Sequence, residues 1–455
     1  MTLKLNNEMT FVCLPPDHPL GKQIGAGSYG RVYLTKHEGK EYVVKITNND
    51  DLGIGSVNEM DIMTRIRHPF ILPCYGMRKG SSLNLLLPRA ICDLKTFAKR
   101  HRPSTDTLLK LLYQVAVGIQ FLHDHNILHL DLNWCNILVM MEEKDYVAKI
   151  SDFGLAMYTD TGIETIDRKL VTSSFRAPES FVPSKGLYTY SKGNDVWALG
   201  MTMLRTLNPR LRPYNGNVNL LIKKLEHGYV NISVRYEQRI VQLINRMLTV
   251  DPKNRPDIGE VVTTLKEIVG DTATYTGYVV EVDRPVKTRC FEDYQAIDRI
   301  SYAAYKMYCP TRVMFLAVDI YHRSTGSELL RAAASLGLAL KAQGRDCNYP
   351  LICTIFNIQM MDIANMELSI IAQLQGVINC DTLYHRIPTG MEVAYYEYVR
   401  DASAYTQLMR CSIVNCQLEK SFHILYPKTE YWQWLNFSNQ LHTDMLRELY
   451  NHEEI

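Results

Sequence analysis

The sequence shows no excess of charge of either sign: 50 lysines and arginines stand against 48 aspartates and glutamates, a net charge of +2. Nucleic acids and anionic membrane surfaces both select a basic field, so the balance argues for neither as a partner. No apolar run approaches the roughly 18 residues that a membrane span needs. The opening residues, MTLKLNNEMTF, lack the basic and apolar blocks of a secretory signal. The 11 cysteines contain no C-x-x-C pair and no regular spacing, which reads as reduced thiols in a soluble intracellular protein, cytoplasmic or nuclear. His123, His125 and His129 cluster without the Cys or acidic companions of a zinc site, and read as a helix end running into a loop. Internal repeats and low-complexity tracts are also missing.

What is present is the composition of a globular protein, 46% hydrophobic and 22% charged, in a chain of 455 residues. That length exceeds one ordinary core, so two or more domains are expected. The first part favours strands: RVYLT and EYVVKI flank His37-Glu38-Gly39-Lys40, a predicted hairpin. From Thr107 the period changes, and Leu108, Leu112, Val115, Ile119 and Leu122 predict a helix ending near Asn126. The stretch GDTATYTGYVVEVDRPVK breaks the composition. It divides the chain into a domain at 18–268, a linker at 269–288 and a helical domain at 289–455.

Several stretches carry phosphate chemistry. GAGSYGRV is a G-x-G-x-x-G-x-V run in which Gly25, Ala26, Gly27, Ser28, Tyr29 and Gly30 let backbone N–H groups approach phosphates, before Val32 on a strand. Glycines alone most often mark turns, but Lys45 follows in the apolar strand YVVKI, where a cation needs a reason. It suits the α- and β-phosphates, with Glu59 on the next helical segment as its partner. In HLDLNWCNIL, Asp131 can accept a hydroxyl proton and Asn136 can hold a metal ion. Asp152 in KISDFGL is a second metal-ligand position, and VTSSFRAPE closes the segment at Glu179.

In this order and spacing, residues 18–268 resemble a eukaryotic-type protein kinase, and DVWALG and DPKNRP add structural signatures of its helical lobe. The resemblance implies a two-lobed α+β fold with a small β-rich lobe and a large α-helical lobe. It implies ATP and Mg²⁺, protein substrates, catalytic roles for Asp131, Lys45, Glu59 and Asn133, and an ion pair between Glu179 and Arg255. Within the family the sequence is most similar to the cyclin-dependent group. VTSSFRAPE resembles V-T-x-W-Y-R-A-P-E, and Asp152 through Glu179 spans that group's 28 residues. LNLLLPRAICDLKTFA resembles its hinge, implying Leu87 as gatekeeper, adenine on the Pro88 carbonyl and Ala90 amide, and Asp93 at the ribose. Thr172 matches the Thr that braces the catalytic loop in Ser/Thr enzymes, and Arg176 hints at a proline-directed substrate. Asp167 stands at the activating Thr, and Tyr29 matches an inhibitory Tyr. The stretch between ALG and DPKNRP is short for the group's helical insert.

The catalytic loop departs from H-R-D-L-K-P-x-N: Leu130 replaces the Arg that gathers a phosphorylated activation loop, Asn133 the Lys that touches the transferring phosphate, and Trp134 the Pro. A missing electrostatic donor costs about 10²–10³-fold in turnover; Asn133 is expected to retain a neutral hydrogen bond. Activity independent of activation-loop phosphorylation follows.

The last third reads as an all-α bundle. Val313, Leu316, Ala317, Ile320 and Tyr321 share one face, ELLRAAASLGLALKAQ offers small residues for close packing, and MELSIIAQLQGVINCDTLY predicts a helix stopped at Asn379–Asp381. FLAVDIYHRS resembles a cyclin box's L-A-V-x-x-x-D-R-F with His322 shifting the expected Asp. AAASLGLALKAQ retains Lys341, and Glu367 is the early Glu of a third helix. The expectation is a cyclin-box-like bundle at about 290–400 that acts as an intramolecular activator by docking on the Glu59 helix. An inactive scaffold, and an active kinase with a substrate-docking module, are the competing readings.

Overall fold

A computed structural model describes residues 11–27, 30–46, 54–78, 83–159, 162–166, 175–209 (except 182, 185 and 186), 237–279 (except 272), 296, 299–300, 302–304, 306–307, 309 and 311–378. The chain divides into two compact units, Met1–Val280 and Glu281–Ile455. Among the described residues no helix is long and apolar enough to cross a membrane.

The first unit opens with strands β1 (Val12–Leu14), β2 (Gln23–Gly27), β3 (Gly30–His37) and β4 (Lys40–Ile46). Helix α1 (Ile54–Arg65) runs directly into β5 (Ile66–Arg67), and β6 (Gly76–Arg78) and β7 (Asn84–Pro88) follow. Six of these strands form one sheet in the order β1-β6-β7-β4-β3-β2, with only β1–β6 parallel. The β3–β4 hairpin turns through Glu38 and Gly39 at φ +47° and +76°. Two consecutive positive φ angles match the twist of the flanking strands, and a glycine takes one of them without a Cβ penalty. Lys45 pairs with Val32 on one side and Leu85 on the other, which fixes it at the sheet's centre. Residues Val57 to Thr64 of α1 are all buried.

The helical lobe is built on α2 (Thr105–Asp124), whose N-cap Ser104 accepts from the Thr107 N–H at 3.1 Å. Its face buries Leu108, Leu112, Val115, Ile119 and Leu122, and Asn126 at φ +57° ends the turn after it. Short strands β8 (Cys92–Asp93) and β9 (Ile127–Leu128) precede the hairpin of β10 (Ile137–Glu142) and β11 (Asp145–Ile150). Strand β12 (Met157–Tyr158) pairs with β9, and β13 (Ile163–Ile166) with β14 (Tyr188–Ser191). Helices α3 (Lys192–Leu207), α4 (Gln238–Met247) and α5 (Ile258–Val269) complete the lobe. The segment expected to be a linker does not leave the unit at 269: β15 (Tyr278–Val279) returns to pair with β5. Its alternating residues, Tyr275 and Gly277 among them, find partners in folded structure.

The second unit contains α6 (Thr311–Arg323), α7 (Glu328–Ala342), α8 (Tyr349–Phe356) and α9 (Met360–Gln373). Every residue of α7 from Arg331 to Ala342 is buried, its alanines and glycine allowing neighbours close. Gly337 faces the Glu367 carboxylate with no room for a Cβ. Glu367 accepts from Lys341 and from the Tyr349 hydroxyl, both at 2.7 Å, and Asp319 pairs with Arg323 at 2.6 Å. The expected third helix starts earlier, at Met360, and stops at Gln373 rather than near Asn379. Gln375 and Gly376, at φ +52° and +77°, turn the chain out of the helix there. Residues 379–455, with the rest of the expected cyclin-like region, lie outside the described residues.

Candidate active site

Between the sheet and the helical lobe lies a cleft of about 780 Å³. Gly25, Ala26, Gly30 and Val32 line its roof; Leu87, Pro88, Ala90 and Asp93 line its back; Lys45, Glu59, Asp131, Asn133, Asn136 and Asp152 line its inner end. The backbone of Gly27 continues β2, whereas Ser28, Tyr29, Asp167 and Thr172 lie outside the described residues. Asp93 also caps a helical turn, accepting from the Thr96 N–H at 2.7 Å.

Lys45 Nζ donates to both Glu59 oxygens at 2.7 Å and to Asp152 Oδ1 at 3.3 Å. Burial works against a charged Lys45, but the carboxylates of Glu59 and Asp152 outweigh it and hold the ammonium well above its ordinary range. Burial pushes the Glu59 carboxyl up, and Lys45 pulls against that rise.

The segment that carries Asp131 hangs on α3. Asp195 accepts from the backbone N–H groups of His129 and Leu130 at 2.9 and 2.8 Å, and shares a 2.9 Å hydrogen bond with His123. Burial raises the Asp195 carboxyl, and these bonds reverse the shift and leave it below its ordinary value. The anchored backbone holds Leu130 at φ +62°, and Asp152 sits at φ +63°. Left-handed conformations at two non-glycine residues are strain of the kind that clusters where side chains must be aimed. Asn136 Nδ2 donates to the Asp131 carbonyl at 2.9 Å and to its carboxylate at 3.0 Å. Burial raises the Asp131 carboxyl, opposed by His129 and by Arg176, whose guanidinium stands 4.0 Å away. Asn133 donates to the Asp131 carbonyl at 3.0 Å and accepts from the Cys135 N–H at 2.8 Å. Its amide therefore braces the loop, which narrows the phosphate-donor role expected of it to the remaining N–H.

The three clustered histidines diverge: His125 bonds the Phe121 carbonyl at 2.8 Å, and His129 the Ser151 carbonyl at 3.2 Å. Farther out, Glu179 and Arg255 form a two-pronged ion pair at 2.7 and 2.8 Å, and Arg255 also donates to three carbonyls of the helical lobe.

Three constellations escaped the sequence reading. Leu130, read as a lost Arg, packs in an apolar cluster with Leu128, Met157 and Tyr190, flanked by Leu155 and Tyr188. Trp134 is buried with the Arg205 guanidinium 4.5 Å over its ring, and that guanidinium also lies 4.8 Å from the Phe175 ring. On β12, next to Met157, the Tyr158 hydroxyl donates to Asp61 at 3.0 Å and accepts from Arg65 at 2.8 Å, both on α1. Adjacent strand residues face opposite ways, so β12 touches the Leu130 cluster with one side chain and α1 with the other. An aromatic after DFGLAM was the one sequence signal for this.

For a divalent cation the donor set is hard oxygen. Asp152 has a carboxylate in the cleft, and Asn136, its nitrogen committed to Asp131, has an amide oxygen left to offer. Among the described residues no group of three or more His, Cys, Asp or Glu could hold a metal without help. Such a sparse set fits Mg²⁺, which keeps waters and shares phosphate oxygens with one or two protein ligands.

The sequence profile described as Protein kinase domain matches residues 19–265. A probable serine/threonine-protein kinase nek3 of Dictyostelium discoideum is 28% identical over 262 residues, covering 53% of this chain and 22% of that protein. Human cyclin-dependent kinase 10 is 30% identical over 230 residues, 46% of this chain and 62% of its own. A probable CTD kinase subunit alpha homolog of Encephalitozoon cuniculi is 25% identical over 273 residues, 52% of this chain and 80% of its own. The chain thus spans less than two thirds of the length of the first two relatives.

Proposed function

The chain belongs to the protein kinase domain family, and from that premise we propose that it transfers the γ-phosphate of ATP to serine or threonine hydroxyls of proteins. The observation that carries the reading is the convergence of Lys45, Glu59, Asp131, Asn136 and Asp152 on one cleft. Lys45, kept charged by two carboxylates, neutralises the α- and β-phosphates. Asp131 orients the substrate hydroxyl and takes its proton, its raised pKa bringing it nearer to that of a proton acceptor in neutral solution. Asn136 and Asp152 would hold Mg²⁺, which neutralises charge on the phosphates when bound. The Pro88 carbonyl and Ala90 amide take the adenine, and Asp93, half committed to its cap, reaches the ribose with its other oxygen. A complete set of this kind weighs against an inactive scaffold.

Two finer readings belong here. Activity does not need a phosphorylated activation loop, because the Leu130 cluster and the β13–β14 pairing give that segment an apolar and backbone anchor. The C-terminal unit acts as a cyclin-like activator of the Glu59 helix; the meeting of Lys341 with Glu367, the two residues carried over from the cyclin box, supports it. Radiolabelled ATP with Mg²⁺ tests the core reading. Wild type should label itself or an added protein on serine or threonine, and Asp152→Ala should not. Equal labelling by both would exclude it.

A further inference from the structure

We propose that Tyr275 and Gly277 are positioning residues: the segment 271–279 is a strap that fixes the C-terminal end of α1, and so Glu59, against the helical lobe. Its catalytic consequence rests on the kinase reading; its structural consequence does not. The chain leaves α5 through Gly270 at φ +65°. Asp271 then folds it back, accepting from the Ala273 N–H at 2.8 Å and the Tyr275 hydroxyl at 2.7 Å. The Tyr275 ring stands edge-on to Phe70 at 4.6 Å and lies 6.3 Å from Tyr113 of α2.

Two residues on, Gly277 presses its backbone against the segment that follows α1. A Cβ there would lie 2.6 Å from the Arg67 carbonyl oxygen, 2.7 Å from the Phe121 ring and 2.9 Å from the His68 ring. Two of those atoms belong to the small lobe's turn and one to α2, so no side chain fits without parting them. Tyr278 and Val279 then pair with Arg67 and Ile66. Among the described residues β15 is the only strand partner of β5. Since β5 continues α1 without a break, a shift of β5 moves the helix as a lever. Glu59 lies seven residues upstream of Ile66, about 10 Å along the axis, and its bond to Lys45 tolerates little displacement at 2.7 Å.

The test uses the full-length protein. Gly277→Val drives a side chain into filled space, Tyr275→Ala opens space, and Tyr275→Phe keeps the ring while losing only its bond to Asp271. Amide hydrogen exchange is followed in residues 59–67 against α3 as internal control, alongside kcat, KM for ATP and nucleotide binding. The first two variants should speed exchange in 59–67 by about tenfold with α3 unchanged. They should lower kcat by about tenfold at nearly constant ATP affinity, with Tyr275→Phe close to wild type. Unchanged exchange in both, or a rise shared equally by α3, overturns the strap. Tyr275→Ala decides the matter if Gly277→Val does not fold. A wild type that transfers no phosphate would end the kinase reading, while the exchange rates would still decide the strap.

Discussion

Two lysine–glutamate pairs, one in each unit, close at the same 2.7 Å, Lys45 on Glu59 and Lys341 on Glu367. Their surroundings differ. Lys45 is 13% exposed, lines a cleft and has a second carboxylate, Asp152, at 3.3 Å. Lys341 is 1% exposed and Glu367 fully buried, with Tyr349 donating its hydroxyl to Glu367 and presenting its ring 4.9 Å from the ammonium. One pair has an opening and a spare partner, so it can exchange contacts with a ligand. The other is sealed and committed to joining α7, α8 and α9. The ion pair alone therefore does not mark a ligand site; what reaches it from solvent decides.

The comparison breaks most sharply on charge removal. Glu367→Gln leaves Lys341 buried without a counter-charge and should cost about 3–5 kcal/mol of folding stability in the second unit. Glu59→Gln leaves Lys45 with Asp152 and should cost less stability, yet lower kcat by about 10²-fold. Denaturant melts and turnover measured on both variants check this, and equal stability losses would erase the contrast. A sealed apolar contact next to the cleft comes next. Leu130→Ala should cost about 2–4 kcal/mol by opening the cluster with Met157 and Tyr190, read from unfolding midpoints. Phosphatase treatment of wild type should leave activity intact; silencing that an upstream kinase restores would refute the apolar anchor.

His68, under the strap, contributes a pH dependence of its own. Burial, then Lys149 and His125, lower its pKa to about 3, and its neutral Nδ1 accepts from the Phe70 N–H at 3.2 Å. A depressed pKa contributes stability that is complete above the unfolded value, near 6.5, and is lost as the pH falls towards 3. The slope should be at most about 1.4 kcal/mol per pH unit, and His68→Gln should flatten it in melts across that window. The smallest effect is at Tyr158. Tyr158→Phe removes one hydroxyl between Asp61 and Arg65 and should cost about 1 kcal/mol, seen as a modest fall in kcat with ATP affinity kept.

The cleft was legible because the residues expected for phosphoryl transfer come in chain order, Lys45 on a strand of plain period and Asp131, Asn136 and Asp152 in loops beside strands, and all four line one cleft. Leu130 and Trp134 were legible only as losses. Their partners, Met157 and Tyr190 for one and Phe175 and Arg205 for the other, lie far along the chain, and packing at that separation leaves no local pattern. The strap was read as linker because GDTATYTGYVVEVDRPVK breaks the composition ahead of the helical periods that follow. Only the space around Gly277 reveals why no side chain is there. The end of α9 was misplaced because Asn379–Asp381 was taken as the stop although Gly376, at φ +77°, stands closer to it; Gln375, at φ +52°, carries no such mark.

The most direct test of the central claim is Asp131→Asn in the full-length protein, with ATP binding and phosphate transfer measured side by side. Removing the carboxylate while keeping its shape and its bond to Asn136 should leave nucleotide affinity nearly unchanged and reduce transfer by about 10²–10⁴-fold. Transfer at the wild-type rate would show that the Asp131 loop is not where the chemistry happens.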